Sequence, residues 1–80
     1  MWYVYLVACS DNTLYCGVTK DLDRRINEHN HLQKGAKYTR SRRPVRLVWS
    51  CRAKNRSEAQ KEERRIKKLT RKEKLELIKG

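Results

Sequence analysis

Four residues in the first third of the chain have side chains that can act on a phosphate ester. They are Tyr5, Tyr15, Arg25 and His29. The tyrosines belong to two short motifs, Tyr3-Val4-Tyr5 and Tyr15-Cys16-Gly17, and the other two residues lie four positions apart on the following segment. A guanidinium binds phosphate oxygens in pairs, while a phenol or an imidazole can orient water and carry a proton. The combination predicts a site for phosphodiester chemistry.

A β-hairpin is predicted to bring the two tyrosine motifs together. Apolar residues alternate along the first 19 positions, except at one short polar stretch around Asn12. Both apolar sets share a face only if opposed residue numbers have an even sum, which favours an odd-length loop with Asn12 in a left-handed conformation. The other face then carries Tyr5, Tyr15 and Gly17, where a glycine allows a backbone or a ligand to approach closely.

A helix is predicted over residues 19–29, because Leu22 and Ile26 lie four positions apart behind a possible cap. Arg25 and His29 have the same spacing and project from one side of this helix, with Arg25 beside the apolar stripe. Arg25 and His29 could therefore contact the same phosphate. A solvated helix edge would give the same pattern.

A basic segment precedes a third predicted strand at residues 45–51. The residues predicted to contact a nucleic-acid backbone are Lys34, Lys37, Tyr38, Arg40, Arg42 and Arg43. The cations suit phosphates and the tyrosine is available to stack on a base. The segment cannot specify a base sequence, and a solvated linker would also place its charges here.

Two helices are predicted to close the chain. The first begins with a capping-box pattern at Ser57, and Thr70 breaks or re-caps it before residues 72–78. Glu62 and Glu63 flank the apolar stripe of this helix, and periodicity places Glu62 nearer its centre. A carboxylate near a buried face needs a cation, which arginine, lysine or a metal ion can supply.

The formal net charge of +12 is unevenly distributed over the 80 residues. Residues 1–33 hold three Lys/Arg and four Asp/Glu, whereas residues 34–80 hold eighteen Lys/Arg and five Asp/Glu. A positive field of this kind attracts polyanions. We therefore favour nucleic acid as the partner over an anionic membrane, and over a charge that serves only solubility.

Length and composition predict one domain over residues 1–80 with a thin core. No apolar run approaches the roughly 20 residues that cross a bilayer, and the first residues do not follow a signal-peptide order. We therefore expect a cytoplasmic monomer. The cysteines, three in number, lack the spacing of a zinc site, and disulfides are not expected.

In their order and spacing these residues resemble the GIY-YIG nuclease family, and in particular its small single-domain members, across essentially the whole chain. The two tyrosine motifs, Arg25, His29 and the segment 57–67 carry the resemblance, and residues 35–45 resemble the small subfamily. The resemblance implies an α+β fold in which helices flank a three-stranded antiparallel sheet, in the order β-β-α-α-β-α-α.

The resemblance also implies a divalent-metal-dependent endonuclease that hydrolyses phosphodiester bonds in nucleic acid, with DNA favoured over RNA and DNA repair or processing as its setting. It assigns catalysis to Tyr5, Tyr15, Arg25 and His29. It assigns a single Mg²⁺ or Mn²⁺ ion to Glu63 rather than Glu62. The base is either Tyr5, whose phenol has an ordinary pKa of about 10 and needs a nearby cation, or His29, whose imidazole titrates at about 6.5.

One departure supports an alternative function. Many family members carry an asparagine after the metal-binding helix, and residues 64–80 contain none. The alternative is a non-catalytic nucleic-acid-binding module, or an accessory subunit that docks on a protein partner, built on the same scaffold.

Overall fold

The computed structural model describes residues 1–31 and 41–79. Its elements are β1 (Trp2–Ala8), β2 (Leu14–Thr19), α1 (Leu22–His31), β3 (Arg46–Ala53), α2 (Arg56–Lys67) and α3 (Arg71–Lys79). This confirms the α+β class and the three-stranded antiparallel sheet flanked by helices. The loop or short helix predicted between α1 and β3 spans residues 34–43, of which residues 34–40 lie outside the described residues. Every helix in the described ranges is too short or too polar to cross a bilayer.

The sheet has the strand order β2-β1-β3, so β1 is central and β2 lies at one edge. In the hairpin Tyr5 opposes Gly17 and Val7 opposes Tyr15. These pairs have the predicted even sums, and Asn12 has a φ of 67° in the connecting loop, as expected for a left-handed turn residue. Tyr5 and Tyr15 therefore share a face of the sheet as diagonal neighbours.

The central strand β1 is buried on both sides, and its alternation divides the core in two. Val4 and Leu6 face α2, where they pack in one cluster with Cys16, Ala59 and Ile66. On the opposite side Tyr5 and Val7 form the second cluster. It includes Cys9 and Val45, and the partly buried Tyr15, Leu22 and Ile26 pack against it. The predicted stripe of α1 is thus confirmed as its sheet-facing side.

The start of α2 corrects the sequence interpretation. The capping box was predicted at Ser57, but the N-cap is Asn55, whose extended backbone lets its side-chain oxygen accept the Glu58 backbone N–H at 2.9 Å. The helix therefore begins two residues earlier than predicted, with Asn55 supplying the side-chain cap. The predicted break at Thr70 is confirmed, because the Thr70 hydroxyl accepts the Glu73 backbone N–H and the Glu73 carboxylate accepts that of Thr70.

Candidate active site

A phenol and an imidazole form a hydrogen bond inside the core. Tyr5 of β1 and His29 of α1 have exposed fractions of 1% and 0%, and 2.8 Å separates the Tyr5 hydroxyl from His29 Nε2. The Tyr15 ring meets the His29 ring edge-on, with 5.5 Å between centroids. The solvated-edge alternative for His29 is therefore wrong. His29 lies three residues after Ile26, beside the apolar stripe of α1, a position that the sequence alone leaves compatible with both water and the core.

Gly17 makes room for the Tyr5 phenol. A Cβ atom built at this glycine would lie 2.4 Å from the Tyr5 hydroxyl oxygen and 2.7 Å from the ring carbon that carries it. Real Cβ atoms do not approach other heavy atoms so closely. The close approach predicted at Gly17 is thus made by the Tyr5 side chain of the neighbouring strand β1.

Burial keeps both members of the pair uncharged near neutral pH. It raises the pKa of Tyr5 to about 12, against the opposing effect of a hydrogen bond and positive charge from Arg25. Burial likewise lowers the pKa of His29 to about 4, and the charge of Arg25 adds to this shift. The hydroxyl donates to Nε2 when the ring proton is on Nδ1, and accepts from Nε2 in the other tautomer.

Arg25 borders the pair on the same helix. Its side chain is 26% exposed, and one of its terminal nitrogens lies 3.0 Å from a Glu28 carboxylate oxygen. Arg24 contacts the same carboxylate at 3.4 Å. The structure thus brings together Tyr5, Tyr15, Arg25 and His29. Arg25 is the partly exposed cation that contacts the buried pair.

A surface concavity of about 400 Å³ lies next to Arg25. Its lining comprises Trp2, Val18, Thr19, Lys20, Asp21, Arg24, Arg25 and Glu28. Trp2 and Val18 pack with the α2 side of the sheet, whereas Arg25 and Glu28 belong to α1 on the other side. The concavity is therefore lined from both sides at the outer edge of β2.

Glu63 lies on α2, across the sheet from the Tyr5–His29 pair. Its negative charge adds to the burial that raises the pKa of the Cys16 thiol to about 12, and it forms an ion pair with Lys67 at 3.2 Å. The Glu63 side chain is 20% exposed and that of Glu62 is 35% exposed. Glu63 is thus the more buried of the two and lies near β2, whereas the charge of Glu62 acts on the Cys51 thiol of β3.

The donor chemistry around Glu63 fits a hard divalent ion held largely by water. No group of three or more His, Cys, Asp or Glu side chains is gathered within residues 1–31 and 41–79. Mg²⁺ typically uses one or two carboxylates and completes its shell with water and substrate phosphate oxygens. A single half-buried carboxylate meets that requirement, while zinc would need more protein ligands.

Two of the predicted nucleic-acid contacts have intramolecular bonds here. Arg42 pairs with Asp11 at 2.9 Å, and Arg43 donates to the backbone oxygens of Glu28 and His29 at the end of α1. Lys34, Lys37, Tyr38 and Arg40 lie outside the described residues.

Asn30 is a positioning residue that the sequence reasoning missed. Its amide donates to the Val45 backbone oxygen at 3.0 Å and its carbonyl oxygen accepts the Val45 N–H at 2.6 Å. Asn30 and Arg43 together fasten the end of α1, where His29 lies, to the segment before β3. Neither has a periodic or compositional signal.

The fold and the tyrosine, arginine and histidine positions define a class of protein. Residues 1–76 match the model of the GIY-YIG catalytic domain, and the chain belongs to this family. It is 54% identical to the UPF0213 protein of Desulfotalea psychrophila over 79 residues, which cover 99% of this chain and 72% of that one. A UPF0213 protein of Staphylococcus aureus is 52% identical over 96% of this chain and 93% of its own.

A solved structure gives the same result. The solution NMR structure of a UPF0213 protein from Bacillus halodurans superimposes with a TM-score of 0.62 at 44% sequence identity. The match covers 99% of this chain and 84% of that one. The relatives are UPF0213 proteins, small members of the GIY-YIG family, and the GIY-YIG catalytic domain implies a nuclease family.

Proposed function

We propose that this protein is a divalent-metal-dependent endonuclease that hydrolyses phosphodiester bonds in nucleic acid, with DNA as the preferred substrate. The observation that supports it best is the buried hydrogen bond between Tyr5 and His29 beside Arg25. Two polar side chains in the centre of so small a core replace apolar packing that would stabilise the fold, and their burial is costly unless each satisfies the other. Such an arrangement is typical of a site where chemistry is done.

Tyr5 is the proposed contact to the attacking water. Nε2 of His29 is completely buried and lies 2.8 Å from the Tyr5 hydroxyl, so the proposed proton transfer to that nitrogen runs through the phenol. With the ring proton on Nδ1, Tyr5 accepts a proton from water while it passes its own to Nε2. No free phenolate is then needed, although the pKa of Tyr5 is raised to about 12 by burial. His29 holds this proton only transiently, because burial lowers its pKa to about 4, and returns it through Tyr5 to water, while the oxygen released when the P–O bond breaks takes up a proton from solvent.

Arg25 is the proposed phosphate ligand. Its guanidinium borders both the buried pair and the concavity at the outer edge of β2, and its planar fork suits two phosphate oxygens. Tyr15 holds the His29 ring edge-on and so keeps Nε2 aligned with Tyr5. Glu63 would hold Mg²⁺ or Mn²⁺, and the bound ion would supply positive charge to the phosphate oxygens. Lys67 would release the carboxylate on ion binding.

Cleavage assays with matched variants test this proposal. Labelled single-stranded, duplex and branched DNA and RNA are incubated with Mg²⁺, Mn²⁺ or EDTA. The variants are Tyr5→Phe and Glu63→Gln, with Tyr3→Phe and Glu62→Gln as controls of the same chemistry on the same elements. We expect wild-type cleavage to require metal and to fall at least about 100-fold in the first two variants only. Circular dichroism establishes that each variant is folded.

The alternative predicts a different pattern. Residues 64–80 contain no asparagine, and the alternative is a module on the same scaffold that binds nucleic acid without cutting it. In that case Tyr5→Phe and Glu63→Gln leave nucleic-acid affinity unchanged and no metal supports cleavage by the wild type. Equal cleavage by wild type and the folded Tyr5→Phe protein would refute the proposed role of the buried pair.

A further inference from the structure

A second strongly basic feature lies away from the candidate active site, on the outer side of α2. A groove of about 560 Å³ runs between α2 and α3. Its lining comprises Lys61, Arg64, Arg65, Lys68, Leu69 and Glu73. The lining of α2 points away from its buried residues Ala59 and Ile66, since positions 61, 64 and 68 fall on the opposite side of a helix of 3.6 residues per turn. The groove is therefore separate from the Tyr5–His29 face.

The charge balance inside the groove is unlike that of an ordinary solvated helix face. Lys61 pairs with Glu58 at 3.7 Å, and Arg65 pairs with Glu62 along the helix. Within residues 1–31 and 41–79, neither Arg64 nor Lys68 has an acidic partner within 4.0 Å. Their like charges, four positions apart at the end of α2, repel each other.

The groove lining has four cations and one carboxylate, that of Glu73, so its positive charge is offset only in part. Glu73 is the partner of Thr70 in the cap of α3, and these hydrogen bonds lower its pKa and fix its carboxylate against the backbone. Leu69 supplies an apolar floor on which long basic side chains can lie. From Lys61 to Lys68 the helix rises by about 10 Å. This length suits several successive phosphates of one strand, which are about 3.4 Å apart along a duplex axis.

We propose that the groove between α2 and α3 is a second nucleic-acid contact, which binds the phosphate backbone through Arg64 and Lys68 away from the cleavage site. This inference rests on the proposed function, because a nucleic acid held at the β2 edge is the polyanion most available to it. An acidic protein segment would be attracted by the same charges. The arginine fork and the regular row of cations favour phosphates.

The test is a binding titration of fluorescent duplex DNA against the full chain by anisotropy, between about 50 and 200 mM salt. The variants are Arg64→Gln, Lys68→Gln and both together, and the control is the double variant Arg52→Gln/Lys54→Gln. The control removes the same two charges from exposed positions outside the groove. All four side chains are exposed, so each variant is expected to fold, which thermal unfolding verifies.

Each groove substitution is expected to lower the slope of log affinity against log salt by about 0.9. For the double variant, the loss of affinity relative to wild type then shrinks about 12-fold from 50 to 200 mM salt, since each contact contributes that slope. The control is expected to change the slope much less. Equal slopes for the groove variant and the control would overturn the proposal.

Two further measurements separate this inference from the proposed function. Cleavage of saturating DNA should proceed at the wild-type rate in the groove variant, because the groove is remote from Tyr5 and His29. If the wild type binds DNA through the groove but does not cleave it, the groove contact is supported and the proposed nuclease activity is contradicted. Conversely, if the wild type cleaves DNA and the Arg64→Gln/Lys68→Gln variant binds DNA with wild-type affinity, the nuclease is supported and the groove contact is overturned. Tighter groove-dependent binding of polyglutamate than of DNA would assign the groove to an acidic protein and overturn the proposal.

Discussion

Acidification is expected to destabilise the fold through His29. The imidazole is completely buried between Tyr5 and Tyr15, and this burial lowers its pKa from 6.5 to about 4. The positive charges of Arg25 and Arg43 add to this shift, while the negative charge of Glu28 opposes it. A protonated His29 would be a buried cation among cations.

The direction and size of the effect follow from linkage. Between pH 6.5 and about 4 the unfolded chain binds a proton at His29 that the folded chain does not, so stability rises with pH in this window. The contribution is intact above pH 6.5 and is lost as the pH falls toward 4. At about 1.4 kcal/mol per pKa unit, the loss is about 2 kcal/mol from about pH 7 to 5, and about 3 kcal/mol in full.

Such a loss is large for a chain of this size, whose free energy of unfolding is expected to be on the order of 4–12 kcal/mol. It is measured by urea unfolding at several pH values from about 7 to 5, with tryptophan fluorescence as the probe. His29→Gln retains hydrogen-bonding capacity without titrating, so about 2 kcal/mol of the pH dependence should disappear. His31→Gln, at an exposed position two residues later, should behave like wild type.

Carboxylates do not confuse this comparison. Hydrogen bonds and ion pairs lower the pKa of Asp11, Glu28 and Glu73 from ordinary values of 3.8 and 4.5, so the stability that these carboxylates contribute is lost mainly below the measured range of pH 7 to 5. The result that would refute the reasoning is an equal loss of stability in wild type and His29→Gln between pH 7 and 5. His29 would then titrate as a solvated histidine does, and its buried pairing with Tyr5 would not describe the molecule in solution.

Two further substitutions test the packing around the site. Gly17→Ala places a methyl group 2.4 Å from the Tyr5 hydroxyl and should cost about 1–3 kcal/mol of unfolding free energy, although alanine is ordinarily at least as good as glycine in a strand. A urea midpoint equal to wild type would contradict this placement of Tyr5. Asn30→Ala removes both hydrogen bonds to Val45 and should cost about 2 kcal/mol, while Asn27→Ala on the exposed side of α1 should have little effect. Equal effects of the two asparagine variants would refute the role of Asn30.

The hairpin and the position of Tyr5 could be predicted from sequence because one physical constraint has a single solution. Two alternating apolar strands can share a face only in an even register, and the loop then needs a residue that tolerates positive φ, which Asn12 provides. Leu22 and Ile26 define the buried side of α1 in the same way. These inferences depend on local periodicity alone.

The burial of His29 and the choice between Glu62 and Glu63 were not accessible in this way. A histidine next to an apolar stripe is as compatible with water as with the core, and its burial is favourable only because Tyr5, 24 positions away, supplies a partner. Likewise, two adjacent glutamates flank one stripe almost symmetrically. Their different exposure, 20% for Glu63 and 35% for Glu62, arises from how α2 packs on the sheet, which is a property of tertiary structure.

The double burial of β1 has a consequence for how such a protein can change over evolutionary time. One seven-residue strand supplies Val4 and Leu6 to one half of the core and Tyr5 and Val7 to the other, so the proposed chemistry and the folding of the chain share a backbone. A substitution in β1 therefore affects the stability of the fold and the proposed chemistry together. New substrates are therefore more readily acquired by redistributing lysines and arginines over the outer helices, where charge can vary without disturbing the strand beneath.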